Sequence, residues 1–155
     1  MITNEFFKDY YQKYNNLLVN DELEKNLLDF QNLSKKIKHD NAKLIFCGNG
    51  ASASISAHGA VDFSKQAKIR SVTFNEANLI TCLANDYGYE KSIVKTIENY
   101  ADKQDLIILI SASGNSENTL SKLYFFNFSI SSSSVILSLP YFMLYKTVSL
   151  NRLVR

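Results

Sequence analysis

The sequence predicts an α/β fold in which a doubly wound parallel sheet carries helices on both faces, preceded by an N-terminal helical arm. Three observations predict it. Lys43 to Cys47 and Leu106 to Ile110 are short apolar runs of the kind that fill the buried strands of a parallel sheet. Each run empties into a loop of Gly, Ser and Asn that opens a helix-like segment. Between the two runs the apolar residues recur mostly at helical spacing.

Taken in order, Phe7, Tyr10, Tyr11, Tyr14, Leu17 and Leu18 follow the three-and-four spacing of an amphipathic helix from Glu5 to Leu18. Asp21 and Glu24 resemble a capping box, after which Leu23, Leu27, Phe30, Leu33 and Ile37 carry a second helix to about Lys38. These two segments form an arm over residues 1–40, whose aromatic stripe would serve equally well against its own sheet or against a second copy. Lys43 to Cys47 is the first strand, and Ser52 to about Gln66 is its crossover helix, with Ala51, Ala53, Ala57 and Ala60 small enough for close packing. A second strand is expected at Ser71 to Phe74. A helix from Glu76 to Ala84 then ends in the polar turn Asn85-Asp86-Tyr87-Gly88, and another helix spans Tyr89 to Ala101. Leu106 to Ile110 closes the core region, residues 41–120.

Residues 121–155 follow a different grammar, with no Asp, Glu or Gly. Between Lys122 and Lys146 lie 23 uncharged residues, enough to span a membrane, but Ser131 to Ser134 and Pro140 interrupt them. The same stretch offers one further strand, Ser134 to Leu139, ended by Pro140. A shifted reading frame is the third explanation of so abrupt a change.

With 155 residues, 46% of them hydrophobic, the chain can bury one respectable core. Its 17 Lys and Arg stand against 15 Asp and Glu, and a net charge of +2 argues for neither nucleic acid nor an anionic membrane surface. Cys47 and Cys82 lack metal-like spacing and read as buried thiols of a reducing compartment. The charged N-terminus does not read as a signal peptide, so a cytoplasmic location is expected.

The two polar loops carry the functional signal. A glycine-bearing turn that opens a helix is a seat for an anion, because the first N–H groups lack intrahelical partners and the peptide dipoles add positive charge there. Gly48 and Gly50 allow a close backbone approach, and Asn49, Ser52, Ser54 and Ser56 offer side-chain hydrogen bonds. The run DLIILISASGNSENT, Asp105 to Thr119, is the second such junction, and two seats imply one phosphorylated ligand.

Three motifs in order, CGNGASASISAHGAVD at Cys47 to Asp62, CLANDYGYE at Cys82 to Glu90 and ISASGNSENTL at Ile110 to Leu120, resemble the sugar isomerase (SIS) domains, and among them the phosphoheptose isomerases. The resemblance covers roughly residues 40 to 120. It implies a three-layer, Rossmann-type domain of five parallel strands, assembled as a homotetramer that shares residues between subunits at its active sites. The implied reaction interconverts sedoheptulose 7-phosphate and a heptose 7-phosphate through an enediol. By that resemblance Asn49, Gly50 and Ala51 form the substrate-contacting turn beside Ser52, Asn85 and Asp86 form the Asn-Asp pair, and Ser111, Ala112, Ser113 and Ser116 form the phosphate loop. Ala51 stands where the family has Gly, a methyl that strains the turn if the position needs a positive φ.

Relatives place a His and a Glu four residues apart on the helix after the first loop, and here that pair is His58 and Asp62. A spacing of four puts both on one helix face. Asp62 would act as the base, with His58 as its partner, or the two would share a zinc ion, the cofactor that the resemblance raises. Asp62 is one methylene shorter than the family's Glu. Relatives also carry a Gln and a His on a late helix, as second acid/base and metal ligands, and this chain has no His after His58. Two functions therefore compete: a sugar-phosphate isomerase serving heptose and surface-polysaccharide biosynthesis, and a non-catalytic sugar-phosphate-binding or partner-binding module. His39, in a charged segment, reads as solvated in both. A plain α/β domain whose loops merely cap helices is the third.

Overall fold

The computed structural model describes residues 3–18, 21–112, 116–120, 134–138 and 147–148. Helices α1 (Asn4–Leu18) and α2 (Asp21–His39) lead into β1 (Leu44–Gly48), α3 (Ala51–Asp62) and a π-type turn at Phe63–Ala67. There follow β2 (Ser71–Thr73), α4 (Ala77–Tyr87), a 3₁₀ turn at Tyr89–Lys91, α5 (Ser92–Tyr100), β3 (Leu106–Ser111) and α6 (Glu117–Leu120). Strands β4 (Ser134–Ser138) and β5 (Thr147–Val148) complete the described elements.

The sheet order is β2-β1-β3-β4-β5, parallel except for β5. Parallel pairing is what the all-apolar β1 and β3 require, since side chains on both faces of these strands are buried. On one face Leu44, Phe46, Leu106, Ile108 and Ile110 pack with Ile37 of α2 and Ala60 of α3. On the other, Ile45, Cys47, Ile107 and Leu109 pack with Ile97 of α5. The chain leaves β1 through α3 to reach β2, then returns past β1 through α4 and α5 to β3. Strand order thus reverses between β1 and β3, and the loops that follow these two strands open at the same crevice.

The expected further strand is present over Ser134–Ser138, parallel to β3. The antiparallel β5 departs from the five parallel strands that the resemblance implied. Residues 139–146 are fewer than the dozen or so that a parallel crossover needs, so the next strand pairs antiparallel. Pro140 and most of the 23-residue uncharged stretch lie outside the described residues. Among the described residues no helix is long and apolar enough to cross a membrane.

Other boundaries shift for local reasons. Asn85, Asp86 and Tyr87 were expected in a turn but form the last turn of α4, and the reversal falls on Gly88, whose φ of 87° suits glycine. The crossover helix passes into the π-type turn at Phe63 and ends at Lys68, whose φ is 55°. Of the two thiols expected to be buried only Cys47 is, and burial pushes it up to about 12; Cys82 is exposed, 3.9 Å from Asp86 Oδ2. His39 is solvent-exposed and meets Asp40, at 2.8 Å.

The arm divides in two. Phe30, Leu33 and Ile37 dock α2 on the core, whereas Phe6, Phe7, Tyr10 and Tyr11 of α1 remain 41–59% exposed and pack chiefly on one another, as in the Phe6–Tyr10 stack at 6.2 Å. These four aromatic side chains of α1 are therefore turned largely to solvent.

Candidate functional site

The site is built where β1 and β3 end side by side, with Gly48 in register with Ile110. Gly48 is obligatory there: a Cβ would lie 2.8 Å from the Ser52 backbone and 2.9 Å from the Ile110 carbonyl oxygen. Gly50 caps α3 at φ 53°, ψ −123°, a conformation open to glycine alone. Its neighbour Ala51 is simply the first residue of α3, and the positive-φ residues other than glycine are Asn41 and Lys68, so the feared strain at Ala51 does not arise.

The helix start holds fewer donors for an anion than the sequence suggests. Ser52 N–H donates to Asn49 O at 2.9 Å, and Ala53 and Ser54 N–H donate to Gly50 O at 3.0 and 3.3 Å. A ligand at this turn is left with the N–H groups that precede Ser52. Ser52 and Ser56 share the buried face of α3 with Ala60, which withdraws Ser56 from any role toward a ligand, while Ser54 is exposed.

From these observations we expect Gly48→Ala to shift α3 off the sheet. Its stability should fall by about 1–3 kcal/mol, the usual effect of overpacking against backbone that cannot yield. Urea denaturation checks this, and an unchanged midpoint would mean that the turn is not as tight as described.

The second loop begins at Ser111, which is buried, and its Oγ lies 3.5 Å from Ser116 Oγ. Ala112 is exposed, and Ser113 lies outside the described residues. The two loops are joined by a bond the sequence did not announce. Asn49 Nδ2 donates to Asn118 Oδ1 at 2.6 Å, Asn118 Nδ2 donates to Asn49 Oδ1 at 2.9 Å, and Tyr89 OH donates to the same Asn49 Oδ1 at 3.0 Å. Asn118 sits inside the ISASGNSENTL motif and Tyr89 inside CLANDYGYE, so motif membership was the one available signal. Beside Asn49 a cavity of about 30 Å³, lined by Asn75, Tyr89, Ser92 and Thr96 among others, has room for water but not for a sugar.

His58 and Asp62 come together, Nε2 to Oδ2 at 3.3 Å, but not with the loops. Both are exposed, 80% and 52%, on the side of α3 turned away from the sheet. At about 1.5 Å of rise per residue they stand roughly 10–17 Å down the helix from Ala51. Asn85 Nδ2 donates to Asp86 Oδ1 at 2.9 Å, and both are exposed at the end of α4. Among the described residues no three His, Cys, Asp or Glu side chains gather to hold a metal ion. Among these, His58 and Asp62 supply two ligands where a catalytic zinc takes three from the protein.

A family profile described as the SIS domain matches residues 9–123. The phosphoheptose isomerase of Helicobacter pylori strain P12 is 34% identical over an alignment of 111 positions that covers 63% of this chain and 58% of that protein. The phosphoheptose isomerase of Solidesulfovibrio magneticus is 32% identical over an alignment of 87 positions that covers 52% of this chain and 43% of that protein. The chain thus spans about half the length of the curated relatives it matches, 58% of the first and 43% of the second. The structure of a phosphoheptose isomerase from Francisella tularensis superposes with a TM-score of 0.76 at 19% identity, covering 89% of this chain and 75% of that one. The Neisseria gonorrhoeae phosphoheptose isomerase gives 0.68 at 22%, covering 86% and 73%. Likeness at that identity establishes the α/β fold, and the profile match over most of the sequence establishes more: the chain belongs to the SIS domain family.

Proposed function

We propose that the chain is a sugar-phosphate aldose-ketose isomerase, converting sedoheptulose 7-phosphate to D-glycero-D-manno-heptose 7-phosphate for heptose and surface-polysaccharide biosynthesis, in the cytoplasm and as a homotetramer. One observation carries the reading: the Asn49–Ser52 turn, and Ser111 with Ser116, lie at the ends of adjacent strands and are tied together by the Asn49–Asn118 pair. The printed names of the relatives agree with it.

In this reading the phosphate lies between the Asn49–Gly50–Ala51–Ser52 turn and the hydroxyls of Ser111, Ser113 and Ser116, donors suited to its oxygens. Asn85 and Asp86 hold the sugar hydroxyls. Asp62 removes a proton from C1 while the C2 carbonyl oxygen takes one up to give the enediol; Asp62 then returns its proton to C2 as the C1 hydroxyl gives up its own and becomes the carbonyl, with His58 orienting Asp62 and passing the proton between the two oxygens. Because His58 and Asp62 face away from their own sheet, they serve a substrate seated by a neighbouring copy, and the apolar stripe of α1 supplies a surface for that assembly. No step is routed through a metal.

A specific observation favours the second reading, a binding module without turnover. Of the two histidines in the sequence, His39 pairs with Asp40 in solvent, leaving His58 as the sole imidazole for acid/base work. Incubation with sedoheptulose 7-phosphate separates the two: aldose product is expected for the isomerase. Saturable binding without product would transfer the conclusion to the module, and neither would overturn both.

A further inference from the structure

We propose that Asn118 and Tyr89 are positioning residues that clamp the Asn49 carboxamide so that it meets the ligand as a hydrogen-bond donor; the ligand class rests on the sugar-phosphate reading above. A carboxamide left to itself can present either end, an acceptor oxygen or a pair of N–H donors. Here the oxygen is spent. Asn49 Oδ1 accepts from Asn118 Nδ2 at 2.9 Å and from Tyr89 OH at 3.0 Å, filling both lone pairs. One Nδ2 hydrogen goes to Asn118 Oδ1 at 2.6 Å. What Asn49 has left is a single N–H, and a single N–H selects an acceptor: a phosphate, carbonyl or hydroxyl oxygen of the sugar phosphate.

The three side chains come from three separate elements. Asn49 follows β1, Tyr89 opens the 3₁₀ turn after α4, and Asn118 lies in α6 beyond β3, so the clamp fixes the two polar loops against each other at the strand-order reversal. Asn118 is 5% exposed, and its amide is therefore committed to this pair and not to solvent. Flipping the Asn49 amide would set its NH₂ against Asn118 Nδ2 and its oxygen against Asn118 Oδ1, which burial makes costly.

The test uses Asn118→Leu, Asn118→Asp and Tyr89→Phe in the full chain, the last being an exposed hydroxyl whose removal leaves packing intact. In ligand-free protein the Asn49 side-chain amide resonances, assigned with Asn49→Ala, should be dispersed in the wild type and move toward free-amide positions in Asn118→Leu. Affinity for sedoheptulose 7-phosphate should fall by about tenfold or more in Asn118→Leu and about threefold in Tyr89→Phe, the scale of lost hydrogen bonds. Asn118→Asp, which keeps an acceptor for the Asn49 N–H but loses the donor, should fall between. If Asn118 acts through Asn49, the Asn49→Ala/Asn118→Leu double variant binds no more weakly than Asn49→Ala alone. Additive losses, or Asn49 resonances that stay in place in Asn118→Leu, would overturn the clamp. Absence of binding by the wild type would instead overturn the sugar-phosphate reading, and the amide resonances would still decide the clamp.

Discussion

Changing Asp62 to asparagine is expected to lower the rate of aldose formation by about 10²–10⁴-fold, the contribution of a positioned general base. Asparagine keeps the shape and can still meet His58, 3.3 Å away, but it cannot take up a proton at neutral pH. Affinity for the sugar phosphate should stay within a few-fold, because Asp62 meets the C1 end of the sugar, whereas the phosphate that anchors it is carried on C7. The same reasoning gives a variant that gains. Asp62→Glu restores the methylene that relatives carry, and since about 1 Å of misplacement can cost a hundredfold in rate, the longer side chain should raise turnover. Steady-state kinetics on both variants check the pair of expectations. An Asp62→Asn rate equal to that of the wild type would remove Asp62 from the chemistry and assign the base to another residue.

Local signals carried the sequence reading a long way, and it stopped where the information became tertiary. Four or five consecutive apolar residues, ended by Gly48 in one case and Ser111 in the other, define β1 and β3 because only a two-sided burial tolerates such a run, and the topology that makes their loops neighbours follows from the helices between them. Gly48 was legible as a close approach; that it approaches the carbonyl oxygen of Ile110 was not. Asn118 and Tyr89 were missed because they lie 69 and 40 residues from Asn49, and nothing in the spacing of an Asn and a Tyr says that their side chains meet it. Ser56 was over-read as a ligand donor, although its phase with Ser52 and Ala60 on a helix already placed it on the buried face. The Asn85-Asp86-Tyr87 stretch has the composition of a turn, yet a helix tolerates it until Gly88 supplies the one conformation that must break.

The largest effect on stability is expected at Asp105, a residue with no part in the chemistry. Its carboxylate is 1% exposed at the entrance to β3, where Oδ1 accepts from Lys43 N–H at 2.9 Å and Oδ2 from Asp102 N–H at 2.8 Å. Lys43 Nζ pairs with Asp105 Oδ2 and, at 2.7 Å, with Asp102 Oδ2. The group staples the entry of β1 to that of β3, next to the Leu106 N–H to Lys43 O bond at 3.0 Å. Asp105→Ala leaves two backbone N–H groups without their acceptor and the Lys43 ammonium with Asp102 alone, and breaking such a buried, charge-assisted cluster costs about 3–5 kcal/mol. Against a total of about 5–15 kcal/mol, that brings the chain close to unfolding. A urea midpoint lowered by less than about 1 kcal/mol equivalent would contradict the staple.

The pH dependence has a definite sign on both sides. Burial pulls the Lys43 ammonium down, but its hydrogen bonds to Asp102 and Asp105 outweigh burial and hold it above the ordinary 10.5, so its contribution is full below that value and fades as pH rises through the folded one. The hydrogen bond from Lys43 holds Asp102 below the ordinary 3.8, so its contribution is full above 3.8 and fades as pH falls through the folded value. The ion-pair part of the Asp105→Ala loss should therefore be constant across the neutral range and shrink at the alkaline end as Lys43 gives up its proton, since the wild type then loses the same pair that the variant never had.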